Sequence, residues 1–352
     1  MDYQKTLEEL INTVIRENGS DLQLGADRRP AIRVAGELIF LVKYPVMSKE
    51  DMIAITKIII GERFDKFVSS QEVDFSYDFN NGTARLRGNA FFQKGVIAIA
   101  LRLIPKVRPL SDLNLPPIIA EIARKKQGFF LCVGPVGQGK STTLSSMIDL
   151  INKEQARHIV TIEDPIEHIY IPDKSIIDQR EVGIDTEDFH IALKSAFRED
   201  VNVIMIGEMR NSETIATAVT AAETGHLVLS TLHTNNASQT IDRIIDSFPG
   251  NQQDQIRLQL ASSLIGIFSQ RLVPKITGGL VPAYELLLNT SAVANLIREK
   301  RTQEIDVMIE TGTVNNMVDL NRSLLELVRS GEISIETAYQ YSLNPKSLER
   351  LI

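Results

Sequence analysis

Glycine, lysine and serine meet at one place in this chain with a spacing that suits phosphate chemistry. The run Gly134-Pro135-Val136-Gly137-Gln138-Gly139-Lys140-Ser141 fits G-x-x-x-x-G-K-[ST], follows a short apolar run and opens a helical pattern marked by Leu144, Met147, Ile148 and Ile151. Glycines here let successive backbone N–H groups converge on phosphate oxygens, and the helix N-terminus adds the positive end of its dipole. Lys140 is suited to neutralising the terminal phosphates. The Ser141 hydroxyl suits Mg2+, a hard cation that prefers oxygen, and Thr142 lies on the same helical turn. A glycine-rich turn without a ligand explains the glycines but not the Lys-Ser pair. ATP and Mg2+ are therefore the expected cofactors.

Hydrolysis needs acids beside such a loop. Thr161-Ile162-Glu163-Asp164-Pro165-Ile166-Glu167 places three carboxylates after an apolar run, where one can polarise an attacking water; capping the turn before Pro165 is their other use. Val203-Ile204-Met205-Ile206-Gly207-Glu208-Met209-Arg210 is an apolar run ending in an acid. Gly207 stands where aspartate is usual, so Glu208 is the candidate, acting on magnesium through water or else paired with Arg210. His226 and His233, two of five histidines, lie seven residues apart and flank the run 227–232, a spacing open to opposite ends of one strand. Taken alone, a histidine so placed is more often a hydrogen-bonded core residue than a ligand or sensor.

The elements that must hold these groups follow from periodicity. Tyr3, Leu7, Leu10, Ile11 and Val14 recur at helical spacing and stop at Asn18-Gly19-Ser20. Strands are predicted over 31–34, 84–92 and 96–103, with turns at Ala35-Gly36, Asn81-Gly82 and Lys94-Gly95. Pro105, Pro109 and Pro116-Pro117 then mark an interdomain linker. From Gly128 the pattern alternates apolar runs (129–133, 159–162, 203–206, 227–229) with helical stretches such as Phe189, Ala192, Leu193, Ala196 and Phe197. That alternation predicts a parallel sheet covered by helices. Residues 271–288 read as a hairpin turning at Gly278-Gly279, and 292–300 and 320–329 as a helical tail. The fold class expected is α/β, with an α+β domain over 1–104, a linker over 105–117, a P-loop ATPase domain over 118–290 and a helical region over 291–352.

Composition narrows the partners. With 38 Lys+Arg against 45 Asp+Glu in 352 residues, 6% aromatics and no Trp, neither a basic arm nor stacking platforms are available, so nucleic acid is not the expected ligand. Cys132 is the only cysteine, which excludes an internal disulfide and a thiolate zinc site. The N-terminus lacks a signal-peptide pattern and no apolar stretch approaches ~20 residues, so a cytoplasmic protein is expected.

Residues 134–142, Thr161 to Glu167 as quoted, Gly207-Glu208-Met209-Arg210, Thr220-Ala221-Ala222-Glu223-Thr224-Gly225-His226 and Thr231-Leu232-His233-Thr234 together resemble the type II/IV secretion ATPase family. Their order matches its Walker A, Asp box, Walker B and His box. Within it the chain is similar to the type IV pilus retraction ATPases, the PilT and PilU kinds. Local segments such as Arg180-Glu181-Val182-Gly183-Ile184-Asp185-Thr186 favour PilU, and Ala294 replaces the central arginine of PilT's A-I-R-N-L-I-R-E.

The resemblance implies a PAS-like N-terminal domain before a RecA-like ATPase domain. It assigns Glu163 as catalytic base, Glu208 to magnesium and its waters, His233 to sensing the γ-phosphate and His226 to support. It brings Arg87 and Arg102 onto the nucleotide from the N-terminal domain, with Arg271 as a third candidate. It implies a homo-hexamer at the cytoplasmic face of the inner membrane, docked on a pilus platform protein and working with a paralogous retraction ATPase. Val136 and Gln138 depart from the family's usual Thr and Ser or Thr. Two other functions stay open on the sequence: an ATP-binding regulatory subunit with little hydrolysis, and a nucleic-acid translocase.

Overall fold

The spacing of Leu7, Leu10, Ile11 and Val14 produces the helix Tyr3–Arg16, with all four side chains buried and the Asp2 carboxylate accepting the Lys5 N–H at its start. In the computed structural model, which describes residues 2–80, 84–104, 107–312 and 316–352, the chain divides into two units. The first is Met1–Lys106 with Pro165–Ile169; the second is Val107–Asp164 with Tyr170–Ile352. The expected turn at Asn81-Gly82 and the first linker residue, Pro105, lie outside the described residues.

The first unit holds six antiparallel strands: β1 (Asp21–Gly25), β2 (Ala31–Val34), β3 (Glu37–Phe40), β4 (Glu72–Phe79), β5 (Ala84–Gln93) and β6 (Val96–Ile104), in the order β3-β2-β1-β6-β5-β4. Its core joins Leu22, Leu24, Phe75, Leu86, Ile97 and Ile99 of the sheet to the apolar faces of Tyr3–Arg16 and Lys49–Ile60. Three of the strands, β1, β3 and β4, carry no expectation from the sequence. Gly88 on β5 lies directly opposite Phe75 on β4, and a Cβ on Gly88 would come 2.2 Å from the Phe75 ring.

The second unit contains β7 (Gly128–Val133), β8 (His158–Glu163), β9 (Ile176–Glu181), β10 (Val203–Ile206), β11 (Leu227–Leu232), β12 (Leu264–Pro274) and β13 (Leu280–Leu288), in the order β13-β12-β7-β11-β10-β8-β9. All neighbours run parallel except the β12–β13 hairpin. Side chains of one parity, including Phe129, Leu131, Ile162, Ile204 and Val228, pack under the helices Phe189–Ala196, Ser212–Glu223, Ala237–Asp246 and Gly250–Ser263. The other parity, including Phe130, Cys132, Met205 and Leu229, packs under Ile118–Ala123 and Lys140–Glu154. Helices on both faces are why the central strands β7, β8, β10 and β11 are buried and largely apolar.

Residues 107–117, expected as a linker, attach to the second unit: Val107, Leu110 and Leu115 cover its core and the Arg108 carbonyl accepts the Ser146 hydroxyl at 2.7 Å. The tail helix Ser291–Arg298 adds Val293, Leu296 and Ile297 to the same unit's core. Among the described residues, no helix is long and apolar enough to cross a membrane.

Gly88→Ala forces the Phe75 ring to move inside a packed core, so the first unit is expected to lose about 1–3 kcal/mol of stability. A urea midpoint equal to wild type would show that the ring has room to yield.

Candidate functional site

The parallel order brings the C-terminal ends of β7, β8, β10 and β11 to one edge, where ligands bind in open α/β sheets. The loop 134–141 leaves β7 and turns into the helix Lys140–Glu154. Gly134, Gly137 and Gly139 have φ of 142°, 78° and 80°, the region that glycine alone enters freely. Gly134 also passes so close to β12 that a Cβ would lie 2.5 Å from the Gln270 carbonyl oxygen.

Lys140 is 7% exposed, and burial lowers its pKa. Its Nζ donates to the Pro135 carbonyl at 2.8 Å and lies 3.4 Å from His233 Nδ1. On the far side of His233, Nε2 lies 3.4 Å from Glu208 Oε2. Glu208 also pairs with Arg210, whose other nitrogen is 3.6 Å from Asp164. Glu208 is thus paired with Arg210 and stands next to the His233–Lys140 contact. Glu163, the last residue of β8, is buried, and its Oε1 accepts the Thr161 hydroxyl at 2.7 Å and the Gln179 amide at 3.3 Å. Ser141 and Val136 are exposed on the loop, and Thr142 is half-buried.

Strand β12 braces this loop. Gln270 Nε2 donates to the Gln138 carbonyl at 2.8 Å, Gln270 Oε1 accepts the Thr143 hydroxyl at 2.7 Å, and Gln138 Oε1 accepts the Leu272 N–H at 2.7 Å. The departure at Gln138 thus makes a bond to β12. Arg271, also on β12, is buried and donates to the Asn235 carbonyl and side chain at 3.0 and 3.2 Å. It lies beside Gly134 but is engaged by the loop after His233. Gln270, Thr143, Asn235 and Gln179 are members of the site that the sequence alone did not single out. The only signal was that polar residues recur in the otherwise apolar strand β12.

His226 is corrected. It precedes β11, at the end where β7 begins, and its Nδ1 contacts the Ala221 carbonyl at 2.9 Å while its ring packs edge-on to Phe197. Six residues of strand, roughly 20 Å, separate it from the loop. Within one chain it does not join the phosphate site.

Arg87 and Arg102 belong to the first unit, where they are cross-strand partners on β5 and β6. Arg102 Nε donates to Asp21 at 3.0 Å, and Arg87 lies 3.3 Å from Glu167. Asp21 is also the register partner of Arg33, so one row across the sheet holds three guanidinium groups and one carboxylate between two of them.

The family profile for Type II/IV secretion system protein matches residues 110–347. The chain belongs to this family. As a member of it, the chain is 40% identical over 342 residues to the type IV pilus retraction ATPase PilT of Pseudomonas aeruginosa, covering 97% of this chain and 99% of the relative. It is 37% identical over 347 residues to the type IV pilus ATPase PilU of the same organism, covering 98% and 91%. A crystal structure of the pilus retraction motor PilT with bound ADP superposes with a TM-score of 0.91 at 45% identity, covering 97% of this chain and 98% of that one. Overall identity, 40% against 37%, does not single out the PilU kind.

One further charge lies behind the loop that follows His233. Glu285 on β13 is buried and accepts the Ala237 N–H at 2.7 Å, at the start of Ala237–Asp246. Burial pushes its pKa from 4.5 up to about 7. A carboxyl with a raised folded-state pKa contributes stability present below 4.5 and lost as pH rises through 7, here by roughly 3 kcal/mol. Glu285→Gln is expected to remove that share of the decline, measured by urea unfolding at pH 5 and pH 8. Equal pH dependence in variant and wild type would place the titration elsewhere.

Proposed function

We propose that this chain is an ATP-hydrolysing motor that drives type IV pilus retraction. The observation that carries the reading is the buried Lys140 ammonium: it bonds its own loop through the Pro135 carbonyl and lies within one side chain, His233, of Glu208. A desolvated cation bonded to its own glycine-rich loop suits a polyphosphate, and the likeness to an ADP-bound retraction motor supports ATP as the substrate.

In this reading the loop N–H groups and Lys140 bind the phosphates and align the terminal one for in-line attack. Glu163, held by Thr161 and Gln179, takes the proton of the attacking water. His233 lies between Lys140 and Glu208 and senses the γ-phosphate there. The Ser141 hydroxyl and the Glu208 carboxylate, both oxygen donors, fit Mg2+ bound beside phosphates. The described residues contain no cage of three or more His, Cys, Asp or Glu, which agrees with an ion held mainly by phosphate and water. Bound there, the ion neutralises charge developing on the phosphates. Arg87 and Arg102 are arginine fingers supplied by the first unit and exchange their present acids for phosphate, and Arg271 holds the His233 loop. By likeness to the pilus ATPases, the motor works as a homo-hexamer at the cytoplasmic face of the inner membrane, docked on the pilus platform protein.

Phosphate release by the purified chain tests the assignment. Glu163→Gln and Glu208→Gln are each expected to lower kcat by about 10²-fold or more, and Lys140→Ala to abolish nucleotide binding. Turnover unchanged by both glutamate substitutions would sink the site. An accessory role beside a paralogous retraction ATPase is separated by asking whether this chain alone restores retraction in cells lacking both; restoration makes it the principal motor.

A further inference from the structure

After β11 delivers His233 to the edge that carries the phosphate loop, the chain crosses the end of β7 before entering the helix Ala237–Asp246. Its anchors lie on the strands beyond β7. The Ser269 hydroxyl of β12 donates to the Asn235 carbonyl at 2.8 Å, and Arg271 donates to the same carbonyl at 3.0 Å and to the Asn235 side-chain oxygen at 3.2 Å. On β13 the Glu285 carboxylate accepts the Ala237 N–H at 2.7 Å. The neighbours of Asn235 are tied to the helix instead: the Thr234 hydroxyl lies 2.6 Å from that of Thr240, and the Asn236 side chain accepts the Gln239 N–H at 3.0 Å. A guanidinium can only donate, so the Asn235 amide presents its oxygen to Arg271. Side chains alternate across a strand, which puts Ser269 and Arg271 on one face of β12 and Gln270 on the other, where Gln270 bonds Gln138 and Thr143. Ser269, Gln270 and Arg271 therefore grip the phosphate loop from one face and the segment after His233 from the other.

We propose that Asn235 is a positioning residue which, pinned to β12 by Ser269 and Arg271, keeps His233 against Lys140 and so lets the site distinguish ATP from ADP. The proposal rests on the reading of His233 as the γ-phosphate sensor. The His233 side chain is 47% exposed, so packing alone does not fix the ring that lies 3.4 Å from both Lys140 and Glu208. Its place is set by the backbone on either side. On one side is β11, buried and paired with β7 and β10; on the other, the first tie to a strand is the one at Asn235. Lys140 in turn is placed by the loop that Gln270 grips. Adjacent residues of one strand thus set the spacing of His233 from Lys140, and a displacement of about 1 Å is enough to misplace a reacting or sensing group. ADP lacks the phosphate that His233 meets, so loosening Asn235 costs ATP binding and turnover and spares ADP.

Titration calorimetry on the full-length chain, with ADP and with a non-hydrolysable ATP analogue in the presence of Mg2+, separates positioning from general support. Asn235→Ala removes the side-chain oxygen that Arg271 holds. Ser269→Ala removes one donor to the Asn235 carbonyl at the cost of a single buried hydroxyl. Each is expected to weaken the ATP analogue about fivefold or more and ADP by less than about twofold, and to lower kcat about tenfold. Equal weakening of both nucleotides assigns Asn235 to supporting the site as a whole and overturns the proposal, as does wild-type affinity for both. His233→Ala is expected to shift the ratio of the two affinities in the same direction, and Asn235→Ala to add nothing in that background; full additivity overturns the link between the two residues. A ratio unchanged in His233→Ala removes the sensor reading and the proposal with it. A ratio changed in His233→Ala but kept in Asn235→Ala and Ser269→Ala removes the proposal alone.

Discussion

A lysine ammonium that has lost most of its water must find other partners, and the organisation of the second unit follows from where Lys140 finds them. In the structure it takes the carbonyl of its own loop and lies against a histidine nitrogen, and burial depresses its proton affinity. Such an arrangement is stable only because the loop cannot fall away from it. The helix beginning at Lys140 is packed into the core by Leu144, Met147, Ile148 and Ile151, and β12 grips the loop through Gln270, Gln138 and Leu272. The site is held ready to receive negative charge.

Parallel strands supply the convergence. Four strand ends meet at one edge, and the groups they carry are spread through the sequence from Gly134 to His233. An antiparallel meander would deliver alternate strand ends to opposite edges and leave Glu208 and His233 on different sides. The single antiparallel pair in this sheet, β12 with β13, turns at the far side of the loop and gives its polar residues, Gln270 and Arg271, to bracing.

The strands that position the site were legible in the sequence for a physical reason. β7, β8, β10 and β11 are covered on both faces, so each contains a short, mainly apolar run, and the phosphate loop follows one of them. β9 is an edge strand whose residues Asp178, Gln179 and Arg180 are partly exposed, so no such run marks it. β3 is likewise an edge, with each residue of Glu37–Phe40 exposed. The prolines after residue 104 signalled a break in regular structure, but not that Val107, Leu110 and Leu115 would still find a core to cover. Gln138 read as a departure whose purpose was invisible until β12, more than a hundred residues later, passed beside it. The seven-residue spacing of His226 and His233 was correctly open to opposite strand ends; only the assignment of His226 to the nucleotide in its own chain does not hold.

The chain's one thiol has a practical bearing. Cys132 lies in the centre of β7, fully enclosed, and burial pushes its pKa up to about 12. At neutral pH almost none of it is the reactive thiolate, and enclosure denies reagents access as well. Maleimide reagents therefore ignore the native protein. A single cysteine introduced on an exposed strand of either unit can therefore carry a fluorescent dye without first removing Cys132.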